Sequence, residues 1–65
     1  MYIVAELQYA YINHAWVRST KQEAEDLFKQ IVLDNYPDCD NMSELLEQGY
    51  HEDGEYTIQI LEARS

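Results

Sequence analysis

The sequence predicts an α+β fold: a small antiparallel sheet of three to four strands with one main helix packed on one face, ordered β-β-α-(short α)-β. Three observations lead there. Residues 2–12 alternate with a period of two, as a strand does. Residues 20–36 repeat apolar side chains at helical spacing. Asp53-Gly54 is a strong hairpin dipeptide, and a second alternating stretch follows it.

In the first strand Ile3, Ala5, Leu7, Tyr9 and Tyr11 make a consistently apolar side, while Tyr2, Val4, Glu6 and Gln8 make a mixed one. One apolar face argues a half-buried strand. Asn13-His14 is the best local turn candidate, with residues 15–19 as the returning strand. The register stays open. A two-residue turn puts Trp16 on the Tyr9/Tyr11 face, and one more residue puts Val17 there.

The main helix opens at Ser19-Thr20 and runs to about Tyr36. Its stripe is Ala24, Leu27, Phe28, Ile31, Val32 and Tyr36, with Lys21, Gln22, Glu25, Asp26, Lys29 and Gln30 on the other side. Thr20 and Glu23 stand at capping-box spacing, so the hydroxyl takes a first-turn N–H and the glutamate reaches back. Pro37 ends the helix by pushing Tyr36 out of helical dihedrals. Residues 38–41 are a turn-rich connection. Residues 43–48 read as a short helix, capped by Asn41 or Ser43 and stopped by Gly49, with Met42, Leu45 and Leu46 inward. Asp53-Gly54 then joins a short arm, residues 50–52, to a last strand over 55–63. There Tyr56, Ile58 and Ile60 share a face opposite Thr57, Gln59 and Leu61.

Residues 1–65 are expected to form a single domain. A chain of this length buries only roughly 60% of its unfolded surface. Cys39 is its only cysteine, so no internal disulfide can staple it, and self-association into a homodimer is the expected aid. A lone cysteine suits a reducing cytoplasm. Met1 is followed by Tyr-Ile-Val-Ala-Glu, without a basic region or cleavage pattern, and no apolar run approaches bilayer length. The expectation is a cytoplasmic protein with no membrane partner, in the host cell if phage-encoded.

The net charge is −9, and it is unevenly distributed. Up to Lys29, the acids Glu6, Glu23, Glu25 and Asp26 stand among the bases Arg18, Lys21 and Lys29. Between Gln30 and Ala63 there is no Lys or Arg, while Asp34, Asp38, Asp40, Glu44, Glu47, Glu52, Asp53, Glu55 and Glu62 are all acidic. Arg64 is the fourth base. One reading is a solvated acidic surface that aids solubility. The other is a single-sign surface in which the first eight of those nine acids, Asp34 to Glu55, imitate backbone phosphates toward a basic groove. Such a surface repels nucleic acid, so direct DNA or RNA binding is not expected. The expected partner is the basic surface of a host nucleic-acid-binding protein.

Other constellations carry less chemistry. Asp38-Cys39-Asp40-Asn41 fails the calcium-loop pattern, because Met42 and Gly49 occupy ligand positions. Cys39, His14 and His51 lack zinc-ligand spacing. His51-Glu52-Asp53 has an acid–base composition but sits beside a turn. Cys39 stands between two acids with no base beside it to activate a thiol, and no glycine-rich phosphate loop is present. No catalytic, cofactor or metal residues are therefore assigned, and the chain is read as a non-enzyme. Trp16, Tyr9 and Tyr11 read as core or interface aromatics more readily than as a base-stacking platform.

The join Val-Arg-Ser-Thr-Lys-Gln-Glu-Ala-Glu-Asp-Leu-Phe, running from a strand into a helix, resembles that of many small phage and mobile-element proteins, some anti-CRISPR proteins among them. The matching part, Trp16 to Phe28 with the preceding strand, is under half the chain. The resemblance implies a small inhibitor that blocks a host defence or nucleic-acid enzyme by occupying its surface, and it transfers no functional residues. Two alternatives remain beside this reading. One is an inhibitor or adaptor binding through its Tyr/Trp-rich sheet face or an edge strand. The other is a homodimeric structural or auxiliary protein.

Overall fold

A computed structural model describes residues 1–63. Its elements are β1 (Tyr2–Gln8), β2 (Tyr11–Arg18), α1 (Lys21–Asn35), α2 (Met42–Gln48), β3 (Tyr50–Asp53) and β4 (Tyr56–Glu62). The four strands form one antiparallel sheet in the order β2-β1-β4-β3, with α1 across one face. The α+β class and the element order match the sequence expectation, with the optional fourth strand present.

α1 forms as its pattern predicts. Ala24, Phe28 and Val32 are buried, and Leu27, Ile31 and Tyr36 pack partly buried beside them. The Glu23 N–H donates to Thr20 Oγ1 at 3.2 Å. Glu23 returns the contact at the hydroxyl, which donates to its carboxylate at 3.0 Å, and not at the backbone N–H of a full capping box. Tyr36 closes the helix with non-helical dihedrals (φ −133°, ψ 73°) ahead of Pro37. Gly49 ends α2 in the left-handed conformation (φ 86°) that glycine adopts without a Cβ penalty. Asn41 precedes α2, but its side chain does not cap it. Asn41 Oδ1 accepts from the Cys39 thiol at 3.3 Å instead.

The core is thin. Val4 from β1, Ile58 from β4, Ala24, Phe28 and Val32 from α1, and Leu45 from α2 make one buried cluster. The helix therefore covers the Tyr2/Val4/Glu6 side of β1. The consistently apolar side, Ile3, Ala5 and Leu7, faces away from it. The half-buried face expected from alternation alone is the wrong one, because residues beyond β1 decide the matter. Trp16 pairs with Val4 and Ile58 with Glu6, so the apolar complement of Phe28 gathers on the mixed side.

The first hairpin also differs. The turn is Tyr9-Ala10 and not Asn13-His14. Both residues have positive φ (54° and 66°), as a type I′ turn requires, yet neither is the Asn or Gly that normally marks one. Asn13 lies in a β-bulge, where Leu7 pairs with Ile12 and Glu6 with His14. Its amide donates to Gln8 Oε1 at 3.2 Å. The second hairpin pairs Asp53 with Tyr56, so its two-residue loop is Gly54-Glu55, with glycine (φ 62°) first as in a type II′ turn.

Non-glycine residues in the left-handed region cost roughly 1 kcal/mol each. Tyr9→Asn/Ala10→Gly should therefore stabilise the fold by about 1 kcal/mol, raising Tm by about 4–8 °C in a domain of this size. Thermal unfolding followed by circular dichroism checks it, and an unchanged or lowered Tm rejects the strain assignment.

Candidate functional site

The eight predicted site residues fall on consecutive elements from the last turn of α1 to the β3–β4 loop, and Lys21 of α1 lines the same surface hollow as Glu47. Asp34 is in the last turn of α1, Asp38 and Asp40 are in the connection, and Glu44 and Glu47 are on α2. Glu52 and Asp53 end β3, and Glu55 is in the loop after it. Packing holds these pieces together. Asn35 Nδ2 donates to Tyr56 Oη at 3.3 Å, and Tyr36 packs edge-on to His51 with centroids 4.7 Å apart. The Ile60 N–H donates to the Gly49 carbonyl at 2.8 Å, fixing the end of α2 to β4.

All eight side chains are exposed. Among the described residues the ion pairs are His14–Glu6 and Lys29–Asp26, so none of the eight is paired. No Lys or Arg stands on α2, β3 or β4, and Arg64 lies outside the described residues. The opposite flank, β2, holds no acid at all. The charge asymmetry of the sequence thus becomes an asymmetry between the two edges of one sheet.

Two of these acids oppose local stability. Asp34 and Glu47 sit in the last turns of their helices, where the carbonyl ends carry partial negative charge, and neither helix has a base there. Each such placement costs about 0.3–1 kcal/mol.

A second cluster was not anticipated from the sequence. Under the end of α1, Glu6 accepts at one carboxylate oxygen from the Tyr56 hydroxyl (2.7 Å) and meets His14 Nδ1 at the other (3.1 Å). His14 stacks on Trp16, and Tyr36 leans on Tyr56. Burial, and then the Glu6 carboxylate, push the Tyr56 phenol well above its ordinary pKa. Burial and then Asp53 raise Tyr36. The residues come from four separate segments, and only the period-two placement of Glu6 and Tyr56 hints at them.

The rejected constellations are also dispersed. Cys39 bonds Asn41, His14 pairs with Glu6, and His51 packs against Tyr36. Alternation turns Glu52 to the face opposite His51 and Asp53. Among the described residues no three His, Cys, Asp or Glu side chains gather as a metal-holding group, and no helix is long and apolar enough to cross a membrane. Trp16 packs half-buried against the core, while Tyr9 and Tyr11 are exposed at the hairpin end, so the three make no shared platform. No family model, curated protein or solved structure matches this chain.

Tyr56→Phe should cost about 1–3 kcal/mol, because it removes a bond to a half-buried carboxylate. Folding raises the phenol's pKa above 10.0, so this contribution is full below about pH 10 and is lost as the pH climbs through the folded value. Urea unfolding of both proteins at pH 7 and above pH 10 tests it. A gap that stays constant or widens with alkalinity contradicts the assignment.

Proposed function

We propose that this chain is a non-catalytic acidic interaction protein, which inhibits a bacterial defence or nucleic-acid-handling protein by occupying its nucleic-acid-binding surface. The reading includes the phage or mobile-element setting that the strand-to-helix join implies. The observation that carries it is the set of exposed acids Asp34, Asp38, Asp40, Glu44, Glu47, Glu52, Asp53 and Glu55, none of them in an ion pair among the described residues, all within the stretch from Gln30 to Ala63 that holds no Lys or Arg.

Geometry supports the phosphate comparison. The molecule extends 34 Å along its longest axis, about one turn of duplex DNA. That length sets the upper bound on the span of phosphates its carboxylates could replace in a basic groove. The acids at the two helix C-termini add a further reason. Solubility needs no charge at positions where it opposes the helix dipole, whereas a continuous acidic edge does.

A second reading has its own observation. Tyr9 and Tyr11 are exposed at the hairpin end, where the Tyr9 N–H donates to the Glu55 carbonyl at 2.9 Å, and aromatic side chains are enriched at interfaces. A partner held there would bind with little salt dependence and would be lost on Tyr11→Ala.

The test is capture from bacterial lysate on immobilised protein, eluted with duplex DNA or with buffer alone. The acidic-flank reading expects a nucleic-acid-binding protein that DNA displaces, with affinity falling steeply as salt rises. Asp34→Lys/Glu47→Lys/Glu52→Lys should abolish that capture while leaving the melting temperature equal or higher, since two of the changes remove unfavourable helix-end charges. Capture that survives the triple substitution rejects the reading.

A further inference from the structure

The sheet face turned away from α1 is uncovered. Its side chains follow from the strand pairing. Val17, Ile3 and Leu61 form one row across the strands, Ala15, Ala5, Gln59 and Tyr50 the next, and Ile12, Leu7, Thr57 and Glu52 the third. Glu52, at the β3 corner, is the one charged side chain in these rows. Ile12 is 66% exposed, Val17 55% and Leu61 46%, and Met1 beside them is exposed too. An open antiparallel sheet normally alternates to polar residues on its free face. This one does not.

We propose that this face is the interface of a homodimer, in which a second copy of the chain packs sheet against sheet with the two-fold axis along the strands. The inference rests on different residues from the acidic-flank reading except at Glu52, which borders both surfaces. Three observations select a second copy.

The first is size. Three strands of seven or eight residues and the four-residue β3 cover roughly 400 Å², at ~4.8 Å between strands and ~3.3 Å per residue. Two such faces meeting bury about 800 Å² before side-chain relief is counted, and that relief carries the total toward the ~1,000 Å² that a specific interface clears. The helix-side core, with Phe28 its largest fully buried side chain, is small enough to need that second layer.

The second is the state of the edges. Strand-to-strand pairing is the competing way for a sheet to self-associate. β2 carries the bulge at Asn13, and β3 is four residues long and ends in Glu52-Asp53. Bulges, short strands and charges are the features that block edge pairing. The face remains.

The third is charge, which also fixes the axis. An in-plane two-fold across the strands would stack β3 on β3 and bring the two acidic flanks together. A two-fold along the strands lays β3 of each copy over β2 of the other, and β2 holds no acid. The acidic flanks then lie at opposite sides of the dimer, with Ala15 of one copy facing Tyr50 of the other.

Sedimentation equilibrium over a range from 5 to about 500 μM, near the ordinary affinity range of small homodimers, tests the interface. Wild type should reach twice 7.7 kDa. Ile12→Asp/Val17→Asp should remain folded by circular dichroism, because both sites are exposed in the single chain, yet raise the dissociation constant at least ~100-fold, by burying unpaired charge and by setting the new carboxylate at position 12 against Glu52 of the other copy. Leu33→Asp, on exposed helix surface, should remain dimeric. A wild type of 7.7 kDa throughout overturns the proposal, as does a dimer that Leu33→Asp dissociates and Ile12→Asp/Val17→Asp does not. For the axis, a thiol cross-linker of about 10 Å, the spacing of packed sheets, is applied in a Cys39→Ser background. Ala15→Cys mixed with Tyr50→Cys should link, and Ala15→Cys alone should not. Linking by Ala15→Cys alone overturns the assigned axis.

Discussion

The fold depends on Phe28 meeting Val4 and Ile58. These three side chains are fully buried and come from the helix and the two central strands. β1 and β4 are the first and last elements of the chain, so their pairing closes the longest loop in the molecule. That closure is entropically costly and returns little until the helix lies over it. Every other element extends this contact. β2 carries Trp16 alongside Val4, α2 adds Leu45 at the margin, and β3 pairs to β4 only by turning back through Gly54.

Local signals were legible where one residue type settles the backbone. Gly49 and Gly54 occupy left-handed positions, Pro37 ends α1, and Thr20 and Glu23 open it. The period of α1 named its buried residues, Ala24, Phe28 and Val32, because a helix of this length shows its face several times. The first hairpin was illegible for the converse reason. Tyr9-Ala10 carries no turn signature, and the neighbouring Asn13, which does, makes a bulge. Which sheet face is covered could not follow from β1, since both faces hold apolar residues and the choice belongs to the whole set of strand partners. For the candidate site, the run of acids was legible and the placement of the elements that carry them was not. That placement depends on α2 turning into β3 at Gly49 and on Tyr36 packing the end of α1 against His51. The Glu6–Tyr56–His14 cluster joins residues up to 50 positions apart, which no spacing rule reaches.

Sequence economy separates the two surfaces. In β3 and β4 alternate residues point to opposite faces, so one stretch supplies the inner layer through His51, Ile58 and Ile60 and the open face through Tyr50, Gln59 and Leu61. The carboxylates gather where alternation ends, at the loop, the short helix and the hairpin tip. Glu52 is the exception, standing at the rim of the open face beside the flank. A molecule this small has little surface that is not shared, and partition between sheet face and sheet edge lets two surfaces of different chemistry occupy it.

The two surfaces respond to salt in opposite directions. Docking of the acidic flank on a basic partner is attraction between unlike charges, which screening weakens over a Debye length of about 8 Å at physiological ionic strength. Self-association brings together two chains of net charge −9, and screening of that repulsion strengthens it. Added salt should therefore tighten the sheet-to-sheet contact while it loosens the contact made by Asp34 to Glu55. Separation of the flanks across the dimer reduces the repulsion without removing it. In the proposed readings, the charges that would draw a basic partner are also the main force opposing self-association. The apolar side chains of Ile3, Val17, Leu61, Leu7 and Ile12 must supply the burial that outweighs it, with Glu52 at the rim of their face.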